Sequence, residues 1–279
     1  MRQIITILKN PNPAEIEHAI EFNFYELVRS MSTIDLEGMV CDETDEFFRY
    51  STGIPFFLFN AVIESQIPSE DAIQKIKENI TFFNKRQVPF LWVIGPSSTP
   101  KNMGELLTQN GFTPDKQPGM AYNLKNLDAE LEPLDKVEIV KVENVDTLKA
   151  WNNIVLTGFS LPQEILSDFF YKAFLSKLLD DTPSASGFLA YYDGNPVAAS
   201  LVLYEVGVAG IYNVTTLEEA RGKGIGTAIS LAPLIEAKHL GYQIAILHSS
   251  QMALSMYKNI GFKEYCKLEW YIWQPSSKE

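Results

Sequence analysis

The chain has 279 residues, 46% hydrophobic and 21% charged, which suits a globular protein of two domains at about 150 residues each. Its net charge of −12 opposes nucleic-acid phosphate, so DNA and RNA are disfavoured as partners. The longest apolar run, Ile54–Ile63, is broken by Asn60 and falls far short of the ~20 residues of a membrane helix.

From the N-terminus, MRQIITILKNPNPAE offers too short an apolar run for a signal-peptide core. Cys41 and Cys266 stand far apart and fit free thiols better than a disulfide framework, so the chain is expected to be cytoplasmic. Further along, PFLWVIGPSSTPKNMGELLTQNGF reads as strand, polar loop, short helix and Gly111-Phe112. An acidic stretch from Asp128 to Asp135, with Pro133 inside it, then breaks the pattern before Val137, Ile139 and Val142 restart it. That places a boundary near Leu134, giving domains 1–134 and 135–279.

The second half reads as a strand from Val137, then helices over Asn144–Leu156 and Pro162–Leu179. Strands follow at Phe188–Tyr192, Val197–Tyr204 and Val208–Thr216, with Asp193-Gly194 and Glu205–Gly207 as the turns. A glycine-rich corner comes next, then a helix to about Leu240 that contains Pro233 and is expected to kink there. A strand Gln243–His248, a helix Gln251–Lys258 and a strand around Tyr265–Trp273 complete the series. YQIAILHSSQMALSMYKNIGF repeats the order of the earlier segment and closes on Gly261-Phe262, which suggests a duplicated fold. The first copy has no glycine corner, and Leu107 stands where the second has Tyr257.

The corner, Arg221-Gly222-Lys223-Gly224-Ile225-Gly226, carries the chemistry. N–H groups at a helix start lack intrahelical partners, and the helix dipole makes that end partly positive. Glycines let the backbone approach a ligand closely, and Arg221 and Lys223 add positive charge, so the corner suits a phosphate or pyrophosphate. It is not a P-loop, since Gly222-Lys223 is not followed by Ser or Thr, and its glycine spacing does not match the dinucleotide fingerprint. The histidines form no metal-ligand spacing, and no metal is expected.

Arg221, Gly224 and Gly226 match [RQ]-x-x-G-x-[GA], and ALSMYKNIGF matches A-x-x-L-Y-x-x-x-G-F with Met256 for Leu. In these two ordered motifs the chain resembles the GNAT superfamily of N-acetyltransferases over residues 137–273, and as a whole it resembles a tandem type whose N-terminal copy is degenerate. The resemblance implies an α/β fold of two GNAT-like mixed β-sheet domains with helices on both faces. It implies acetyl-CoA as co-substrate and a primary amine on a small molecule or peptide as acceptor. The backbone of Val214, Thr215 and Thr216 would pair with the pantetheine arm, and amides from Gly222 through Lys223, Gly224, Ile225 and Gly226 to Thr227 would hold the pyrophosphate. Tyr257 would protonate the departing thiolate, a nearly balanced transfer for a phenol of ordinary pKa. Ser250 stands where many members carry a cofactor-contacting Asn and would donate a single hydrogen bond.

The general base is less evident. Val208–Thr216 holds no carboxylate, and Asn213 is its only amide. His248 is one candidate; a water relay or an amine that arrives neutral are the others. A rival reading is an acyl-CoA-binding module without turnover.

Overall fold

The structure is a computed structural model that describes residues 6–127, 133–179 and 184–275. In the first half the elements are α1 (Pro13–Met31), β1 (Val40–Glu43), β2 (Phe48–Ser51), β3 (Asn60–Ile63), α2 (Ala72–Arg86), β4 (Phe90–Ile94), α3 (Met103–Gln109) and β5 (Thr113–Asn123). The second half adds β6 (Val137–Lys141), α4 (Val145–Gly158), α5 (Gln163–Leu179), β7 (Ala185–Tyr192), β8 (Asn195–Glu205) and β9 (Val208–Thr216). It ends with α6 (Ile225–His239), β10 (Ile244–His248), α7 (Leu254–Ile260) and β11 (Lys263–Trp273). No helix among the described residues is long and apolar enough to cross a membrane.

Contacts divide the chain into two compact units, but not by a single cut near Leu134. Unit 1 holds residues 1–23 and 120–264; unit 2 holds 24–119 and 265–279. The linear expectation therefore differs at both ends of the chain: the N-terminal segment packs with the second half and the last strand packs with the first. Of the expected linker, residues 128–132 lie outside the described residues.

In unit 1, β6, β7, β8 and β9 pair antiparallel in sequence order, and β10 lies parallel to β9 after the α6 crossover. Asp193 and Gly194 both take positive φ, the two-residue turn their sequence called for. The second turn does the same with Val206 at φ 54° and Gly207 at φ 71°, an uncommon posture for a β-branched residue. The N-terminal segment braces this turn: Leu8 N–H donates to Gly207 O at 2.9 Å, and a Cβ on Gly207 would lie 2.5 Å from Thr6 O.

A bulge interrupts the β8–β9 ladder. Ala199 faces Thr215 and Leu201 faces Tyr212, so Asn213 and Val214 share the place opposite Ser200, and Asn213 turns to φ 51°. Ser200 is fully buried there and is used on both sides of the sheet. Its carbonyl accepts from Trp151 Nε1 of α4 at 2.9 Å, and its hydroxyl donates to Ile229 O of α6 at 2.8 Å. The second bond answers Pro233, four residues on from Ile229, which has no N–H to offer that carbonyl. α6 continues through Pro233 to His239.

Unit 2 repeats the order. β1, β2 and β3 pair antiparallel, α2 crosses over, β4 runs parallel to β3, and β11 pairs antiparallel with β4. Its core is aromatic, with Phe83 stacked on Phe90 at 4.0 Å between centroids and Phe112 edge-on to Phe90. The two Gly-Phe pairs close their helices alike. Phe112 N–H donates to Leu107 O at 3.2 Å and Phe262 N–H to Tyr257 O at 3.0 Å, with Gly111 and Gly261 both at positive φ.

The Ser200–Pro233 pairing has a thermodynamic signature. Ser200→Ala should cost about 1–3 kcal/mol by orphaning a buried carbonyl. In a Pro233→Ala background, where the helix supplies its own N–H, the same change should cost measurably less. Denaturant unfolding of the four proteins of this double-mutant cycle reads the coupling; additive costs would contradict the pairing.

Candidate active site

The parallel contact between β9 and β10 is short. Ala209, Gly210 and Ile211 face Ala245, Ile246 and Leu247, and the register ends there. Beyond it, Val214, Thr215 and Thr216 stay paired only with β8, through Ala199 opposite Thr215 and Ala198 opposite Thr216. The other edge of this strand end therefore faces a fork, and the bulge at Asn213 is what bends β9 away. An extended amide chain laid in such a fork can pair with that edge as an added strand does.

The glycine corner sits at the end of the same strand. Gly222 and Gly224 take φ 76° and 78°, in the left-handed region, and Gly224 is the residue before the first turn of α6. No side chain caps that turn, and the first intrahelical bond runs from Ala228 N–H to Gly224 O. The N–H groups of Ile225, Gly226 and Thr227 are thus left for an external acceptor. Gly226 has ordinary φ, and a Cβ there would make ordinary contacts, 3.4 Å from Thr216 Oγ1 and 3.7 Å from Met256 Sδ. The two cations are tethered at the corner, Arg221 Nε to Thr216 O at 3.1 Å and Lys223 Nζ to Glu219 O at 3.2 Å.

Tyr257 lies on α7 and is buried. Its phenol is hydrogen-bonded to Ser230 of α6, and the Ser230 hydroxyl donates to Gly226 O at 2.7 Å. Burial pushes Tyr257 up to about 12, partly offset by Ser230. The nearly balanced proton transfer expected from an ordinary phenol is therefore revised, since the transfer to a thiolate near 8.5 becomes uphill in the protein as it stands. Ser230 was missed in the sequence, although its place one turn after Gly226 in the helix was a usable signal.

His248 ends β10 at the fork. Both ring nitrogens are closed to solvent, its ring lies 6.3 Å from that of Tyr212, and it is hydrogen-bonded to the backbone of Ile20. Burial pulls it down to about 4, against the lesser upward effect of the Ile20 bond, so it is a neutral imidazole at pH 7 and a weak base. Ser250 is exposed, and its hydroxyl accepts from Ala253 N–H at 3.3 Å in the turn before α7, which begins at Leu254 rather than Gln251. The structure brings Val214–Thr216, the corner, Thr227 and Tyr257 around one fork, with His248 beside it. No group of His, Cys, Asp and Glu among the described residues could hold a metal.

Residues 183–264 match the family model of the acetyltransferase (GNAT) domain. This part of the chain is a GNAT acetyltransferase domain. Among solved structures, a GCN5-related N-acetyltransferase from Kribbella flavida matches with TM-score 0.67 and 15% identity over 94% of this chain and 96% of its own. One from Sphaerobacter thermophilus matches with TM-score 0.65 and 17% identity over 100% and 99%. A tandem GNAT protein from the clavulanic acid biosynthesis pathway matches with TM-score 0.61 and 12% identity over 96% of each chain. At these identities the likeness is one of fold. No curated protein matches in sequence.

Unit 2 has the GNAT order of elements but not the fork. After β3 the chain runs Glu64-Ser65-Gln66-Ile67-Pro68-Ser69-Glu70-Asp71 into α2, without a glycine and with three acids. Gln66 bridges to Thr99 in parallel register, flanked by Thr99 N–H to Ser65 O at 2.9 Å and Ile67 N–H to Thr99 O at 3.3 Å. Trp92 Nε1 donates to Ser65 Oγ at 2.7 Å. Backbone that forks in the GNAT domain is hydrogen-bonded shut here.

His248 fixes a pH dependence. Its pKa is lower folded than unfolded, so the stability it contributes is complete above pH 6.5 and is lost as the pH falls from 6.5 to about 4. The loss across that window is on the order of 3 kcal/mol. In His248→Gln the acid limb between pH 6.5 and 4 should flatten in urea unfolding; an unchanged limb would contradict a buried neutral imidazole.

Proposed function

We propose that the chain is an acetyl-CoA-dependent N-acetyltransferase that moves the acetyl group to a primary amine by direct attack. One observation carries this reading: an uncapped, glycine-built helix start and an unpaired strand edge meet at one fork, with a buried phenol beside them. Gly226, beside Thr216 and Met256, lies where the path from a pyrophosphate to a pantetheine arm would run. Acetyl-CoA supplies the activated acetyl thioester. The chain's own residues position it: the amides of Gly222–Thr227 meet the pyrophosphate, and the edge of Val214–Thr216 meets the arm. Tyr257, hydrogen-bonded to Ser230, would turn its proton to the departing sulfur. Burial of the sulfur in the same site raises its own pKa and narrows the gap to the phenol.

For the acceptor, the α4–α5 corner is informative. Residues 150–171 contain no Lys, Arg or His, and they expose Phe159 (46%) and Ile165 (49%) beside Glu164 and Asp168. A Cβ on Gly158 would lie 2.1 Å from Thr215 Oγ1, so this corner begins against the fork strand. An amine on an apolar scaffold without anionic groups suits it best. The degenerate copy expected in the first half is read in unit 2, on its acidic, closed counterpart of the corner and on Leu107. Cys41 and Cys266 are not joined in a disulfide, which fits a cytoplasmic enzyme.

A second reading, an acyl-CoA-binding module without turnover, draws on the weak basicity of His248. Two measurements separate them. Calorimetry with acetyl-CoA should give micromolar affinity that falls at least about 100-fold in the Gly224→Glu, Gly226→Glu variant, which puts carboxylates into the corner. Thiol release with a panel of apolar amines should drop about 100-fold in Tyr257→Phe while acetyl-CoA affinity stays within about twofold. Binding without turnover on any amine would favour the module, and no binding would sink the acetyltransferase reading.

A further inference from the structure

The face of the fork formed by Gly210, Tyr212 and His248 is built by a helix more than 180 residues away in sequence. Asn23 on α1 is fully buried, and its two side-chain functions are both committed. Nδ2 donates to Glu205 O at 2.8 Å, at the end of β8, and Oδ1 accepts from the Tyr212 hydroxyl at 2.8 Å. Gly210 makes room for this: a Cβ there would stand 2.0 Å from Asn23 Oδ1 and 2.7 Å from the Tyr212 ring. An isolated glycine inside a strand pattern marks such a close approach. Three residues before Asn23, one helical turn away, the Ile20 backbone bonds His248.

Tyr212 is the first residue of β9 beyond the last paired position, Ile211, and His248 is the first of β10 beyond Leu247. These two residues start the two arms of the fork. They share one face, which alternation assigns to Gly210 and Tyr212 on β9 and to Ile246 and His248 on β10. The opposite face, with Ala209, Ile211, Ala245 and Leu247, is filled by α6 and α7. An acceptor amine reaching a thioester in the fork has the Tyr212 and His248 side as the one not occupied by the corner helix.

We propose that Asn23 is a positioning residue of the acyl-transfer site, which holds Tyr212 and His248 at the base of the fork and so sets the approach of the acceptor amine. The inference rests on the acetyltransfer reading for its kinetic consequence but not for its structural one. The N-terminal segment, outside the residues matched by the family model, thereby becomes part of the GNAT active site. Asn23 acts without touching the acceptor, through a polar tie that replaces strand pairing where strand pairing ends.

The test uses the full-length chain, with Tyr212→Phe removing only the tie and Asn23→Ala removing both bonds. Proton NMR of the histidine C2–H resonances, with His248 assigned through His248→Gln, should show the His248 pKa rising by at least about one unit in both variants as the ring gains access to water. Kinetics with acetyl-CoA and the best amine of the panel should show kcat/KM for the amine falling about tenfold, with the acetyl-CoA affinity within about twofold. Should Asn23→Ala fail to fold, Tyr212→Phe carries the test alone. A His248 pKa unchanged in Tyr212→Phe overturns the proposal whatever the activity, and so does a raised pKa with unchanged amine kinetics. A raised pKa in the variants, together with a wild-type protein that binds no acetyl-CoA, would instead remove the acetyltransfer reading and, with it, the kinetic half of the proposal.

Discussion

Everything about the candidate site depends on how soon β9 leaves β10. Three residues pair across that boundary, and then the bulge opposite Ser200 turns Asn213 into the left-handed region and carries the strand end away. An exposed row of strand N–H and C=O groups inside a sheet is costly to leave unmet, so a protein that builds one gives it a partner. Here the bulge itself is secured first. Trp151 takes the Ser200 carbonyl that the ladder leaves out, and the Ser200 hydroxyl takes the Ile229 carbonyl that Pro233 leaves out. α4 and α6 are thereby pinned to the two faces of the sheet at the same residue, and the fork opens from a rigid hinge rather than from a loose strand end.

Unit 2 is a control for this argument, because it has the same succession of elements around a different solution. Its β3–β4 pair is also short, yet Ser65–Ile67 and Thr99 continue the bonding past the strand ends. Once those groups satisfy one another, nothing remains for a ligand backbone to bond. The acids before α2 then oppose any anion at that helix start. Loss of the corner glycines, closure of the fork and Leu107 in place of a phenol are three views of one change. A Leu that is fully buried contributes more to packing than a phenol without a task.

How much of this the sequence disclosed follows from the range of the interactions involved. The corner and the Tyr257 helix are local: positive-φ glycines, a helix start and a Gly-Phe closure are written within a few residues, and the element order followed from periodicity and turns. The repeat was also legible, since Leu107–Phe112 and Tyr257–Phe262 close with the same bond. What escaped was set by distant partners. The boundary at Leu134 assumed that neighbours in sequence pack together, but residues 1–23 and 265–279 are exchanged between the two units. Pro233 marked a missing N–H inside the helix, but the hydroxyl that answers it sits on another strand and could not be read locally. The burial that moves Tyr257 and His248 away from their ordinary pKa values is likewise a tertiary quantity. Gly210 did carry a signal of close approach, though not of what approaches.

Ser230 links the two motifs in space: it is hydrogen-bonded to the Tyr257 phenol, and its hydroxyl donates to the Gly226 carbonyl. Gly226 itself lies beside Thr216 and Met256. Under the proposed function, this tie would hold the acid in register beside the arm, across the packing of α6 on α7. A phenol anchored in this way would be oriented before a thiolate forms, so its hydrogen bond to the sulfur would need little reorganisation. Pushed up to about 12, the group would work best as a donor that stabilises the developing charge, releasing its proton only once the sulfur is buried against it. Arg-x-x-Gly-x-Gly and the tyrosine are separate in sequence but meet in space through Ser230, and on the proposed function a copy without one would have no use for the other.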